Sequence, residues 1–167
     1  MKKLPVAVTE EEFKNLIKHT KQKHHKIAFL LGFGSGLRIS EVTNLEKRDI
    51  HIKEKKIDIR EGKGSKDRVV PLPKGFSESM IKHIPFKCGV RSLQIAFKRY
   101  SKLSGLLEKK PSVHFHSLRH GFASRLIENK VPIHHVKMLL GHSNISTTNV
   151  YLVANPQDAL KSYEEYF

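Results

Sequence analysis

Cysteine, long apolar runs and acidic residues are all scarce in this sequence. A single cysteine, Cys88, excludes an internal disulfide and favours a reducing compartment. No cysteine–histidine signature surrounds it, so we interpret it as a small packing residue and not as a nucleophile. No uncharged apolar helix is long enough for a membrane, and "MKKLPVAVTEEE" reaches acidic residues before an apolar run forms. The sequence therefore predicts a cytoplasmic protein without a signal peptide.

The shortage of acidic residues leaves a large positive charge. The chain carries 31 Lys and Arg against 16 Asp and Glu, a formal net charge of +15 at pH 7. Such a surplus on a small domain is typical of a nucleic-acid binder. The alternatives are a solvated basic surface without a partner, and a membrane surface, for which the sequence offers no amphipathic anchor of sufficient apolar length. We therefore expect a protein that is associated with nucleic acid.

Length and composition indicate one globular domain. The chain has 167 residues, of which 38% are hydrophobic and 28% are charged. This length can bury a substantial core, and this composition is not that of a disordered chain. The sequence contains no internal repeat, no low-complexity run and no convincing linker, so residues 1–167 are expected to form a single domain.

Apolar periodicity predicts helices over most of the chain. Thr9 and Glu12 form a capping box that begins a first helix. The stretch "HKIAFLLGFGSG" predicts a buried helix that ends at its glycines, and "LRISEVTNL" predicts a short one. Further helices are expected over "HSLRHGFASRLIEN" and from Pro132 to Gly141. One more helix is expected with a shared apolar face, at Leu93, Ala96, Phe97, Tyr100 and Leu103.

One segment has the period of a β-hairpin. Ile57 and Ile59 alternate with polar residues, "GKGSKD" is typical of a turn, and "RVVPL" predicts a second strand that closes at Pro71. The fold class predicted from the sequence is therefore mainly α with a small β-hairpin (α+β).

Two helix starts carry candidate site residues. Arg38 in "GLRISEV" could bind two phosphate oxygens, with Glu41 holding its rotamer, although this stretch alone favours an ordinary helix-surface ion pair. His116 and Arg119 in "HSLRH" are three residues apart and so share a helix face. With His114 and His120 nearby, a zinc site must be considered, but Arg119 would repel a cation and no cysteine or carboxylate partner is present.

Two further stretches contain a lysine, a histidine and a tyrosine of interest. Lys63 in "GKGSKDR" is expected at an exposed hairpin tip, where it is either solvated or close to a reacting phosphate. The glycines lie between strands and no "GKS" or "GKT" follows, which disfavours nucleotide binding. In "LGHSNISTTNVY", His142 precedes Tyr151 by nine residues. A tyrosine hydroxyl, with a pKa of about 10, attacks only when cations stabilise the developing charge.

Taken in order, "GLRISEV", "GKGSKDRVVPL", "HSLRHGFAS" and "LGHSNISTTNVY" resemble the catalytic domain of the tyrosine recombinases, the phage-integrase family. The resemblance covers nearly the whole chain, from "LPVAVTEEE" to the tail. It implies the tyrosine-recombinase catalytic-domain fold and a site-specific recombinase or integrase that cleaves and rejoins double-stranded DNA through a 3′-phosphotyrosyl intermediate.

The resemblance also implies a role for each candidate residue. Arg38 and Arg119 match the two arginines that hold the scissile phosphate. Lys63 matches the hairpin lysine that protonates the 5′-oxygen, with Lys66 as the alternative. The remaining matches are a histidine that assists proton movement at the nucleophile, a residue that hydrogen-bonds the phosphate, the nucleophile itself and an acidic support for the first arginine: His116, His142, Tyr151 and Glu41. Because the covalent intermediate stores the phosphodiester energy, neither ATP, a metal nor another cofactor is implied.

The family also bears on architecture and assembly. Members commonly carry an N-terminal DNA-clamp domain, whereas eight residues precede Thr9 here. We expect either a chain that works without this domain or a fragment of a longer protein. Leu160, Tyr163 and Phe167 predict an apolar face on a tail helix, and in the family such a segment packs on a neighbouring protomer. We expect a monomer in solution that forms a tetramer on paired DNA sites through this tail, with docking on its own core as the alternative. Other functions left open are a non-catalytic DNA-binding regulator and DNA relaxation as by a type IB topoisomerase.

Overall fold

The fold is known from a computed structural model that describes residues 5–60, 67–141 and 156–166. These residues form eight α-helices, three β-strands and two 3-10 turns at Lys47–Asp49 and Glu78–His83. The helices are α1 Glu10–His19, α2 Lys23–Gly34, α3 Ile39–Thr43, α4 Val90–Leu103, α5 Leu106–Lys109, α6 His116–Glu128, α7 Ile133–Leu140 and α8 Pro156–Tyr166. The strands are β1 Ile50–His51, β2 Lys56–Ile59 and β3 Arg68–Pro71.

Local signals determine where several helices begin and end. The Thr9 hydroxyl accepts a hydrogen bond from the Glu12 amide, and the Glu12 carboxylate accepts one from the Thr9 amide, as the capping box predicts. Helix α2 is buried on nearly all sides, and α7 begins after Pro132 and ends at Gly141. Gly141 has a φ of +65°, a left-handed conformation that suits glycine at a helix end.

The sheet has one strand more than the predicted hairpin. β2 pairs antiparallel with β3, with Ile57 opposite Val70, and β1 pairs antiparallel with β2, with Ile50 opposite Ile57. β1 could not be predicted from the sequence because two residues are too few to show alternation. The inward positions of β2, Ile57 and Ile59, lie in the main core as their spacing predicts.

Two hydrophobic clusters hold the chain together. The larger contains residues of α1 to α6 and of the sheet, with α2 and α6 packed against each other at its centre. Leu93, Ala96, Phe97 and Tyr100 of α4 are buried there as predicted, but Leu103 is 54% exposed, because the buried side of the last turn is that of Tyr100 and Ser101. The smaller cluster is formed by α6, α7 and α8, together with Val131, which lies between α6 and α7. Its buried residues are Phe122, Leu126, Val131, Val136, Leu139, Leu140, Ala159 and Tyr163.

The tail helix α8 packs on its own chain. Ala159 and Tyr163 are buried in the smaller cluster, and Ser162 and His135 of α7 lie 2.8 Å apart, within hydrogen-bonding distance. α8 also contacts β3. The structure therefore has the docking in cis that the sequence analysis kept as the alternative, with Tyr163 on the apolar face; Phe167 lies outside the described residues.

Among the described residues, no helix combines the length and the apolar character that crossing a membrane requires.

Candidate active site

Arg38 and Glu41 are held together at the start of α3. The Arg38 amide donates to Glu41 Oε2 at 2.7 Å, and its guanidinium Nη1 donates to Glu41 Oε1 at 3.0 Å. The Glu41 side chain is 8% exposed, whereas that of Arg38 is 37% exposed. The carboxylate therefore lies on the protein side of the pair, and the guanidinium reaches solvent, where a ligand could bind.

Arg68, which sequence reasoning missed, binds the same carboxylate. Its Nη1 donates to Glu41 Oε1 at 2.6 Å and its Nη2 to Glu41 Oε2 at 2.8 Å. Its Nε donates to the Leu139 carbonyl at 3.0 Å, and its side chain is 6% exposed. Strand alternation could have signalled it, since Arg68 shares the inward face of β3 with Val70. A buried arginine on a core-facing position requires a partner, and Glu41 supplies it.

Arg119 is buried within the body of the protein. Its Nη1 donates to the Gly36 carbonyl at 2.8 Å, and its Nη2 donates to the Leu140 carbonyl. Gly36, two residues before Arg38, has a φ of +68°, and a Cβ there would lie 2.5 Å from a Phe122 ring carbon. Arg119 thus joins the chain leading to Arg38 with the end of α7.

Two arginines therefore bind successive carbonyls at the last turn of α7. Arg68 reaches Leu139 from β3, and Arg119 reaches Leu140 from α6. These carbonyls have no partner inside the helix, and cations stabilise such a helix end. We call Arg38, Glu41, Arg68 and Arg119 the arginine frame. It fixes the point from which the chain continues through Gly141.

His116 begins α6 beside the arginine frame. Burial, followed by the positive charges of His120, Arg119, His114 and Arg38, lowers its pKa from the ordinary value of 6.5 to about 4. The influence of both site arginines means that His116 shares their electrostatic environment. At neutral pH the imidazole is therefore neutral and has a nitrogen that can accept a proton.

The histidines around His116 do not form a metal centre. The rings of His114 and His116 stack with centroids 6.2 Å apart, and those of His116 and His120 meet edge-on at 4.9 Å. Within residues 5–60, 67–141 and 156–166, no three His, Cys, Asp or Glu side chains are arranged to hold an ion.

Four residues singled out from the sequence lie outside the described residues: Lys63, Lys66, His142 and Tyr151. Among the other tyrosines, Tyr100 and Tyr163 are buried, at 4% and 7% exposure. Cys88 is partly buried, and burial raises the pKa of its thiol, in agreement with a packing role.

Two grooves adjoin the site and share no lining residue. One, of about 280 Å³, is lined by Arg38, Glu41 and Arg60 among others. The second, of about 380 Å³, is lined by His116 and Lys98 among others. The first groove is mixed in charge, because the carboxylates of Glu46, Asp49 and Asp58 line it as well, and Lys98 is a cationic group of the second.

The model of the phage integrase family matches residues 7–87 and 87–158. The chain belongs to this family. The resemblance drawn from the four sequence stretches is therefore confirmed.

Curated relatives in this family are tyrosine recombinases. The chain is 35% identical to the tyrosine recombinase XerA of Thermococcus kodakarensis, over 97% of this chain and 63% of that protein. It is 37% identical to the tyrosine recombinase XerC of Proteus mirabilis, over 79% of this chain and 48% of that protein. The chain thus spans less than two thirds of the length of these relatives.

Solved structures confirm the fold. The XerA recombinase structure aligns with 99% of this chain and 66% of its own, with a TM-score of 0.69 and 24% identity. The integrase from mycobacterium phage Brujita aligns with 100% of this chain and 60% of its own, with a TM-score of 0.73 and 20% identity. The expected fold class, mainly α with a small sheet, is that of these integrase-family proteins.

Proposed function

We propose that this chain is the catalytic part of a site-specific tyrosine recombinase that cleaves and rejoins double-stranded DNA. One observation carries the proposal. Arg38 is far in sequence from His116 and Arg119, yet the three share one electrostatic environment next to the end of α7, from which the chain leads to Tyr151. Concentrated positive charge next to a tyrosine is what phosphoryl transfer to a phenol oxygen requires.

The proposed step conserves the phosphodiester energy. The Tyr151 oxygen attacks the scissile phosphorus and forms a tyrosyl–phosphate bond while the bond from phosphorus to the 5′-oxygen breaks. Neutral His116 assists removal of the phenol proton, and Lys63, or Lys66, protonates the departing 5′-oxygen. Arg38, Arg119 and His142 bind the phosphate oxygens as charge builds. Reversal with a second 5′-hydroxyl rejoins the strand.

We also propose duplex DNA as the partner and a tetramer as the active assembly. Family members have been solved as a lambda integrase bound to DNA and as a lambda integrase tetramer bound to a Holliday junction. The net charge of +15 suits this partner. Since α8 packs on its own chain, assembly through the tail requires α8 to leave its own cluster and dock on a neighbour.

Covalent capture tests the proposal directly. The chain is incubated with a pool of nicked duplexes whose sequence is randomised around the nick, so that cleavage releases a short fragment and traps the adduct. Adducts are separated by denaturing electrophoresis and sequenced, and the enriched duplex is used afterwards. We expect a covalent band that Tyr151→Phe abolishes while DNA binding persists. An adduct that survives in the variant, or none with the parent chain, contradicts the proposal.

Paired copies of the enriched duplex then separate recombination from relaxation. A recombinase exchanges partners and yields recombinant products. A relaxing enzyme removes supercoils from a plasmid that carries one copy and yields no recombinants.

A further inference from the structure

The frame contains a buried carboxylate next to the arginine that is proposed to bind the phosphate. The Glu41 carboxylate alone would cancel the charge of Arg38, since their groups are 3.0 Å apart. A neutral ion pair attracts a phosphate far less than a cation does, because the two fields nearly cancel at the ligand. Another cationic group therefore has to neutralise the charge of Glu41.

Arg68 neutralises the charge of Glu41. It makes two parallel hydrogen bonds to both carboxylate oxygens, at 2.6 and 2.8 Å, whereas one guanidinium bond from Arg38 reaches the carboxylate. The fork of an arginine matches a carboxylate in this way. Burial would raise the pKa of Glu41, but the hydrogen bonds and the charge of Arg68, followed by those of Arg38, lower it to about 2. Glu41 is thus a permanent anion with Arg68 as its main partner.

The third bond of Arg68 ties this pair to the end of α7. Its Nε donates to the Leu139 carbonyl, and the side chain passes so close to Gly141 that a Cβ there would lie 2.7 Å from Arg68 Cδ. Arg68, a residue of β3, therefore connects this strand to α3 and to α7. Each of these three elements adjoins a proposed reactive residue in the sequence: Arg38 precedes α3, Lys63 precedes β3, and Tyr151 follows α7.

We propose that Arg68 is a positioning residue that neutralises Glu41, so that the charge of Arg38 acts on the scissile phosphate, and that links this pair to the end of α7. The proposal rests on the proposed function, since it concerns the same phosphate. Glu41 then fixes the rotamer of Arg38 without consuming its charge. Arg38, Glu41 and Arg68 together carry one net positive charge, and they would carry none if Arg68 were neutral.

A charge role and a purely structural role predict opposite results for a double variant. Arg68→Gln keeps a hydrogen-bond donor but removes the charge, so Glu41 and Arg38 cancel. Adding Glu41→Gln restores one net positive charge while removing a further native interaction. If charge decides the rate, the double variant is faster than the single one. If Arg68 only supports the fold, the double variant is as slow or slower.

The test measures adduct formation in a single turnover on the enriched nicked duplex, together with DNA affinity and melting temperature. We expect Arg68→Gln to slow adduct formation about tenfold to a hundredfold, with a much smaller change in affinity. Arg68→Lys, which keeps the charge without the fork, should be clearly faster than Arg68→Gln. The double variant Arg68→Gln with Glu41→Gln should recover part of the lost rate.

Arg125→Gln is the matched control. Arg125 is a partly buried arginine of α6 that donates to the Phe33 carbonyl and stacks on the Phe33 ring, so both of these contacts are to a residue outside the frame. Its loss should lower the melting temperature without a comparable loss of rate. A double variant no faster than Arg68→Gln, or Arg68→Lys as slow as Arg68→Gln, overturns the inference while the proposed function stands. A parent chain that forms no adduct overturns both.

Discussion

The end of α7 and the tail helix α8 are attached to the protein in opposite ways. The end of α7 is held by two buried arginines that donate to its last carbonyls from β3 and α6. Helix α8 is held mainly by Ala159 and Tyr163 in the smaller cluster, with a contact between Ser162 and His135 and an exposed ion pair between Glu164 and Lys55. Breaking a buried charged contact leaves an uncompensated group, whereas an apolar face can be covered by another surface.

The difference suggests a division of tasks along the chain. Residues 142–155, with His142 and Tyr151, run in sequence from Gly141, at the arginine-bound end of α7, to Pro156, the first residue of α8. The contacts at the end of α7 should determine the rate of the chemical step. The apolar contacts of α8 should determine the stability of the free chain and its assembly on DNA. Each prediction below changes one side and reads out both properties.

The largest effect on rate is expected from Arg119→Ala. The substitution removes a proposed phosphate ligand and the donor to Leu140 and Gly36, so adduct formation should fall at least about a hundredfold. The melting temperature should fall as well, because two buried carbonyls lose their partner. Arg38→Ala, at a side chain 37% exposed, should slow adduct formation similarly with a smaller change in melting temperature. Equal losses of DNA affinity and of rate would show that both arginines merely anchor the DNA backbone.

A smaller effect on rate is expected from Gly141→Ala. Alanine must adopt a φ of +65° and its Cβ would displace Arg68, so both strain and a shifted frame follow. Gly105→Ala is the matched control, since Gly105 has a φ of +73° and no atom within 4 Å of a built Cβ. Both should lose about 1 kcal/mol of unfolding free energy from strain. We expect Gly141→Ala, and not Gly105→Ala, to slow adduct formation about tenfold or more; equal rates would remove Arg68 from the account.

The tail side should respond in stability and hardly in rate. Tyr163→Ala removes a buried ring from the smaller cluster and should cost about 2–3 kcal/mol of unfolding free energy. Glu165→Ala, at an exposed position of the same helix, should cost little. Adduct formation below the melting range should change less than about threefold, which is within about 0.7 kcal/mol. Deleting residues 156–167 should likewise lower the melting temperature, and an unchanged one would contradict docking in cis.

Mild acid should lower the melting temperature through His116. Because His116 has a pKa of about 4 in the folded chain against an ordinary 6.5, the unfolded chain binds more protons between these values. Its contribution to stability is therefore full above pH 6.5 and is lost as the pH falls toward 4. Glu41, at about 2 against 4.5, adds a second loss below pH 4.5. His116→Gln should flatten the melting temperature between pH 6.5 and 4, and Tyr163→Ala should not; an unflattened profile would contradict the placement of His116.

What the sequence could predict depended on how local each signal was. Thr9 with Glu12 and Gly141 act within one turn of helix, and the structure has both as predicted. β1 was too short to show a period, and Leu103 has the helical spacing but lies beside the buried face of its turn.

Arg68 shows why part of the site escaped prediction. Its partners Glu41 and Leu139 are 27 and 71 residues away in sequence, so the contact exists only after folding. Arg38, His116 and Arg119 were found through their order along the chain, and the structure brings them into one environment. The roles given to Lys63, His142 and Tyr151 stay predictions.

Locating the covalent bond on the chain tests the central claim most directly. Trypsin cuts after Lys137 and Lys161, and the peptide between them contains Tyr151 as its single tyrosine, while Tyr163 and Tyr166 fall in the final peptide. After digestion of the trapped adduct with trypsin and nuclease, mass spectrometry should find the remaining nucleotide on the peptide of residues 138–161, at Tyr151. A nucleotide on the final peptide, or on the peptide that contains Tyr100, would contradict the account.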